Sequence, residues 1–361
     1  MKRRGLAVLL ALIMALALVP VTAVGAATET DAAEVEEAAI PAKLTATLGA
    51  TTVASGYCGG ATTSGYDAES ESYKNLSWTL DSEGTLTISG TGVMKDYDYS
   101  YDTPWYSRTS SIKNVAIGNS VTRIGDYAFS DCVSLTSVTI GNSVTSIGDY
   151  AFYYCKSLTS VTIPSSVTSI AKSAFWDCNK LTSITVESGN QKYSSDNGVL
   201  FKKNKTELIQ YPAGNTRTSY TIGNSVTSIG DYAFSDCVSL TSVTIGNSVT
   251  SIGESAFCDC NKLTSVTIPS SVTSIGVGAF FNCSSLTSVT IGSSVTSIYD
   301  HAFCGCQSLT SVTIPNSVTT IGDCVFLECY SLTSITVELG NQKYSSDNGV
   351  LFNKNKTELI Q

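Results

Sequence analysis

Leu135-Thr136-Ser137-Val138-Thr139-Ile140-Gly141-Asn142-Ser143-Val144-Thr145-Ser146-Ile147-Gly148-Asp149-Tyr150-Ala151-Phe152-Tyr153-Tyr154-Cys155 is one unit of a pattern that runs through most of this chain. Cys132, Cys155 and Cys178 are 23 residues apart, and so are Cys237, Cys260, Cys283, Cys306 and Cys329. A fixed period of this length with regular apolar columns signals a solenoid, because one unit can bury its apolar residues only against its neighbours. Val138 and Ile140 alternate with Ser137 and Thr139, the period of a strand with one buried and one wet face. Gly141, or Pro164 in the next unit, ends that strand, and Val144 with Ile147 gives a second apolar pair across a turn. Ala151, Phe152 and Cys155 fall at helical spacing, which predicts one face of a short helical turn with Tyr150, Tyr153 and Tyr154 pointing elsewhere. Stacked at the ~4.8 Å spacing of strands, the columns predict continuous ladders and one long core over about ten rungs.

Outward from the repeat, the chain divides unevenly. Lys2, Arg3 and Arg4 precede an unbroken apolar run from Leu6 to Val19, then Pro20, with small residues up to Val24 and Ala26. This predicts a signal peptide over 1–26, cleaved near Ala26, since the run is short of the roughly 20 residues a membrane span needs. The segment 27–50, rich in Ala, Thr and Glu and without a period, reads as an acidic disordered spacer. The 361 residues carry a net charge of −9 and only 14% charged residues, which argues against a nucleic-acid backbone as ligand. The surface is filled instead with Ser, Thr, Asn and Gly.

Two segments depart from the plain period. Val186 to Gln210 is repeated at Val337 to Gln361 with only Leu339 and Asn353 changed. Gly198-Val199-Leu200-Phe201, Lys202 to Lys205 and Thr206 to Tyr211 predict a hairpin that lengthens one rung, the regular unit resuming at Ile222. Near the start of the repeat region, Trp78-Thr79-Leu80, Asp81 to Gly84 and Thr85-Leu86-Thr87-Ile88 predict a second hairpin with Trp78, Leu80, Leu86 and Ile88 on one face.

The unit Leu-x-x-Val-x-Ile-Pro/Gly-x-x-Val-x-x-Ile-x-x-x-Ala-Phe-x-x-Cys closely resembles the BspA-like class of leucine-rich repeats, over roughly residues 55–361. The resemblance implies a right-handed leucine-rich-repeat superhelix of short strands and short helical turns. It divides the rest of the chain into an N-terminal β-hairpin cap at 51–111 and repeats at 112–361, with hairpin inserts at 187–221 and 338–361. It also implies an exported bacterial protein, secreted or at the cell surface, binding a protein ligand on host or neighbouring cells. It implies no enzyme activity, no cofactor and no membrane span after signal cleavage. A rival expectation is a repeat scaffold of a larger exported protein whose activity or wall anchor lies further on. The first insert continues into Tyr211-Pro212-Ala213-Gly214, whereas the second stops at Gln361.

Candidate chemistry is sparse. Parallel stacking points the Cβ vectors of neighbouring ladder cysteines the same way, which does not suit a disulfide dihedral, so the eight are expected as buried thiols. Cys58, Cys258, Cys304 and Cys324 lie off the ladder, and His301 with Cys304 is expected on the outward face. A zinc site from His301, Cys304 and Cys324 lacks a fourth ligand, and no nucleophile–base–orienter set is visible. Asp96-Tyr97-Asp98-Tyr99-Ser100-Tyr101-Asp102 alternates oxygens as a calcium loop does, but Tyr101 and Ser107 stand where Gly and Glu belong. Tyr97, Tyr99, Tyr101, Trp105, Tyr106, Tyr127, Tyr150, Tyr153, Tyr154 and Tyr232 are the candidate partner-binding residues, because exposed Tyr and Trp make good anchors. The strand columns from Ser137/Thr139 to Ser334/Thr336 predict an uncharged hydroxyl carpet. Asp149-Tyr150 becomes Lys172-Ser173, Glu254-Ser255, Val277-Gly278, Asp300-His301 and Asp323-Cys324, so this edge varies while the core columns hold.

Overall fold

The computed structural model describes residues 50–60 and 71–360; the expected signal peptide and all but the last residue of the acidic spacer lie outside them. Each repeat contributes two short strands and a turn, and each strand pairs in parallel with its equivalent one period away. Ser242, Ser265 and Ser288 pair in register, then Ser311 and Ser334, on one face. Ile229, Ile252, Ile275, Ile298 and Ile321 do the same on the next. The period-two pattern is obeyed: along Ser160–Ile163, Val161 and Ile163 are buried while Ser160 and Thr162 are exposed. Threonines before the second strand have a role beyond strand propensity. The hydroxyl of Thr250 donates to Thr227 O at 3.0 Å, Thr273 to Thr250 O at 3.2 Å, and Thr296 to Thr273 O at 3.1 Å. A β-branched residue with a donor thus fixes both the backbone and the rung below.

The segment expected as a helical turn is not helical. Tyr150 (φ 54°) and Tyr154 (φ 60°) are left-handed, and alternate amides leave the rung. Tyr127, Phe129 and Asp131 N–H groups donate to the carbonyls of Asp149, Ala151 and Tyr153 in the next unit at 2.9, 2.8 and 2.9 Å. The remaining amides close local turns, Tyr153 to Tyr150 at 3.0 Å and Cys155 to Phe152 at 3.3 Å. The reason is stacking: a helix consumes its own amides, whereas this alternation satisfies the backbone and joins rungs at once. Gly148 is dictated by the same closeness, since a Cβ there would meet Asp126 Oδ1 at 2.3 Å, the oxygen that accepts the Asp149 amide at 2.9 Å.

Phenylalanine rings stack in the core. Trp105, Phe129, Phe152 and Phe175 follow one another at 5.7, 5.4 and 5.5 Å. Tyr211, Phe234, Phe257, Phe280, Phe303 and Phe326 follow at 5.2, 4.8, 5.0, 5.3 and 5.8 Å. All eight ladder cysteines are buried. The thiols of Cys155, Cys178, Cys260, Cys283, Cys306 and Cys329 donate to the Phe carbonyl of the previous rung at 3.1–3.2 Å.

The core is not one continuous stack, contrary to the expectation. One cluster runs from Cys58 to Leu200 and a second from Val199 to Leu351. The first insert separates them. It is a three-stranded meander rather than a simple hairpin: Tyr193–Asp196 pairs antiparallel with Val199–Lys202, and that strand with Glu207–Gln210. Asn197 and Gly198, with φ of 50° and 84°, make its first turn, as the Asn-Gly pair favours. Side chains alternate across Val199–Lys202, so Val199 and Phe201 enter one core and Leu200 the other. Asn190 fastens the insert. It is fully buried, donates to Pro164 O and Val167 O at 2.8 and 2.9 Å, and accepts from the amides of Lys192 and Tyr193 at 2.8 Å. Asn341 repeats this arrangement in the second copy.

Leu76–Asp81 and Thr85–Gly90 pair antiparallel with Trp78 opposite Ile88 and Leu80 opposite Leu86. Asp81 Oδ1 accepts the amides of Glu83 and Thr85 at 3.0 and 2.8 Å, and Gly84 (φ 89°) closes that turn. A further strand, Thr52–Tyr57, which the sequence did not announce, pairs on the outer side of Leu76–Asp81. Thr85–Gly90 continues in parallel onto Asn114–Ile117, the first strand of the repeats.

Candidate interaction surfaces

Two surfaces stand out. The first is the hydroxyl carpet. Ser242/Thr244, Ser265/Thr267 and Ser288/Thr290 are exposed on strands of identical pattern with a buried valine between. Beside it an open groove of about 680 Å³ is lined by Ser242, Thr244, Asn247, Ser265, Thr267 and Ser270. None of these side chains is charged or basic enough to activate a nucleophile.

The second surface is the outer edge formed by the turns. Here the structure sorts the candidate aromatics into three groups. Tyr99, Tyr101 and Tyr106 are exposed. Tyr127, Tyr150, Tyr153 and Tyr154 are half-buried, and they form a connected array with Trp176 and Tyr99. Trp105, Tyr97 and Tyr232 are buried and, contrary to the expectation, offer no surface to a partner. Trp105 starts the phenylalanine stack, and its indole N–H donates to Ala128 O at 2.9 Å. Tyr97 packs edge-on against Trp105, and Tyr232 lies under Trp176 at 4.8 Å. Trp105 and Tyr97 thus carry the aromatic stack beyond Phe129. Trp176, not among the expected anchors, bridges the insert: its Nε1 donates to Ser235 Oγ at 3.0 Å across 59 residues. Lys172 meets Asp231 beside it at 2.5 Å.

Carboxylates flank the aromatics. Burial raises the carboxyls of Asp126, Asp149, Asp177 and Glu254 above their ordinary values. Burial, then the neighbouring charges of Asp177 and Asp259, push Asp236 up to about 7. Burial also lifts the phenol of Tyr127, with Tyr150 and Asp149 adding to it.

The off-ladder cysteines are corrected in part. Cys304 is buried rather than outward, and Cys58 and Cys258 are buried as well; Cys324 is exposed. The tight turn folds these positions back, with the Cys258 amide on Ser255 O and the Cys304 amide on His301 O. Burial alone pushes the Cys58 thiol up to about 12, and it leads the rise of Cys304 to about 12, so neither is a ready thiolate. Among the described residues no group of three or more His, Cys, Asp and Glu is placed to hold a metal ion. The Asp96 carboxylate of the would-be calcium loop is engaged by Arg123 at 2.7 Å and the Asp126 amide at 3.0 Å.

These features define a leucine-rich-repeat solenoid whose chemistry is displayed on open faces. The family model for the BspA type leucine rich repeat region matches six copies, over residues 102–226 and 213–333, and the chain belongs to this family. A leucine-rich repeat protein from Eubacterium ventriosum is similar at 30% identity and a TM-score of 0.52, over 74% of this chain and 90% of that one. A leucine rich cell surface protein from Faecalibacterium prausnitzii is similar at 26% identity and a TM-score of 0.47, over 73% and 93%. The pneumococcal vaccine antigen PcpA shares 19% identity at a TM-score of 0.49, over 74% and 80%. No curated protein matches the chain. Among the described residues no helix is long and apolar enough to cross a membrane.

Proposed function

We propose that this chain is an exported, non-catalytic repeat protein that presents an extended surface for protein binding or adhesion at the cell exterior. The observation that carries the reading is the repetition of one exposed pattern in register from rung to rung. Many modest contacts spread along such a face suit an extended protein partner, and many surface copies would add avidity. Membership of the BspA-type family supports this, as does the basic and apolar start of the chain, Lys2 to Val19.

Two measurements test it. N-terminal sequencing of the protein recovered from a secreting host should begin at Ala27. The chain displayed on beads should be retained on immobilised host matrix proteins or bacterial surface proteins. Retention no better than that of a variant with the outer-edge residues shuffled among rungs would defeat adhesion.

A further inference from the structure

We propose that the outward face of the second insert, made by Val350, Phe352 and Leu359, docks the same face of a second copy of this chain, so that the protein pairs as a two-fold dimer. This pairing is independent of the adhesion reading.

The sequence supplies its own comparison. Val186 to Gln210 and Val337 to Gln361 are the same segment apart from Leu339 and Asn353. Both copies sit on their rungs in the same way. The Val186 amide donates to Ser195 Oγ at 3.0 Å and the Val337 amide to Ser346 Oγ at 2.9 Å. The Ile184 and Ile335 amides donate to Gly198 O and Gly349 O, both at 2.9 Å. The inward face is therefore alike, with Leu200 and Leu351 both fully buried. The outward face is not. Val199 and Leu208 are fully buried, whereas Val350 is 36% exposed and Leu359 64%. Phe201 is buried, and Phe352 is half-buried. The rung beneath follows suit: Trp176 is buried, while Leu327 in its place is 45% exposed.

The first copy shows what such a face takes. Val199, Phe201 and Leu208 pack into one cluster with Ile222, Val226, Ile229 and Phe234 of the following rung. The third strand of that insert also accepts hydrogen bonds there. Thr206 O takes the Thr227 and Ser228 amides at 2.7 and 3.1 Å, and Leu208 O takes the Gly230 amide at 2.9 Å. The same residues in the second copy thus present an apolar surface with an edge of backbone acceptors, Thr357 O and Leu359 O in the matching places, and such an edge is a template for pairing. A second copy brings the same apolar side chains and the same strand edge. Two such edges, antiparallel across a two-fold axis, can exchange amide and carbonyl between like residues. Charges of the insert are already held within the chain, Lys356 by Asp347 at 2.8 Å and Lys354 on Asn341 O at 2.6 Å, so two like faces can meet without an unmatched sign between them.

The test is sedimentation velocity of the protein recovered from a secreting host, from about 1 to about 100 µM, where a modest apolar interface associates. Reducing buffer keeps the exposed Cys324 out of any disulfide. One variant carries Val350→Asp and Leu359→Asp, both at exposed positions. A second carries Leu339→Asp. Leu339 is the most exposed large apolar residue among those described, but its counterpart Ser188 is exposed in the first copy too, so it lies off the covered face. The expected result is a concentration-dependent dimer that the first variant weakens at least ~10-fold and the second leaves unchanged. Hydrogen exchange should slow with concentration at the amides of 350–360. Leu359→Ser alone should weaken the dimer in the same direction, should the double variant lose its fold. A monomer throughout would overturn the proposal, as would a dimer that both variants weaken alike or that neither weakens. Open-ended growth past the dimer would overturn the two-fold arrangement. Concentration-dependent protection on the strands from Ser242 to Thr290 instead would place the contact on the hydroxyl carpet and overturn the assignment to this face.

Discussion

Asn190→Ala should be among the most damaging single substitutions outside the aromatic stacks. The side chain is fully buried and makes four hydrogen bonds of 2.8–2.9 Å, to Pro164 O, Val167 O and the amides of Lys192 and Tyr193. Each such bond contributes about 1 kcal/mol net, and a buried group left without a partner costs about 1–3 kcal/mol. The Lys192 amide is only part-buried and can be hydrated, so its share is the smallest. Alanine should therefore cost about 4 kcal/mol, a large part of the ~5–15 kcal/mol that holds most domains together. Because the two cores meet at the insert, the loss should be local first. Native-state hydrogen exchange should show the amides of 187–221 opening at much lower free energy than those of the rungs around Phe257. Asn190→Asp keeps the acceptors but faces Pro164 O and Val167 O with a carboxylate. It should be worse than alanine at neutral pH and partly recover in acid. The assay is urea unfolding read alongside exchange, since a repeat array need not unfold in one step. A loss below about 1 kcal/mol, or uniform loosening of all rungs, would refute the claim that Asn190 fastens the insert.

Phe257→Ala removes a ring held between Phe234 and Phe280 at 4.8 and 5.0 Å; it should cost about 3–5 kcal/mol by urea unfolding. Thiol titration should find one fast-reacting group, Cys324, in the native protein and all 12 after denaturation; fewer in the denatured protein would mean disulfides. The protein should be more stable in mild acid than in mild base. Asp236 rises to about 7 in the fold from about 3.9 unfolded, so its contribution is full below pH ~4 and is lost as pH rises through about 7. Asp236→Asn should flatten that slope, and an unchanged pH profile would sink the assignment.

Much of this was legible in the sequence because the repeat is its own alignment. The alternation of Val161 and Ile163 with Ser160 and Thr162 sets the strand face, and the 23-residue cysteine spacing sets the register that the parallel pairs follow. The burial of the ladder cysteines follows from the same columns. Residues within a column share one environment, so comparing units separates core from surface without any other sequence.

What only the tertiary structure decided lies where a residue's surroundings come from another rung. Helical spacing in Ala151, Phe152 and Cys155 was misleading, because left-handed Tyr150 and Tyr154 send alternate amides to the neighbouring units. Trp105 and Tyr97 read as surface anchors, but both are buried in the aromatic stack, and Cys304 reads as outward, but the tight turn folds it in. The split core depends on Val199 and Leu200 facing opposite ways across one strand, and the bridge from Trp176 to Ser235 spans 59 residues. Periodicity fixes what every unit does alike. The meetings between unlike units, at the insert and along the outer edge, are set by which rung lands on which, and that follows only once the chain is stacked.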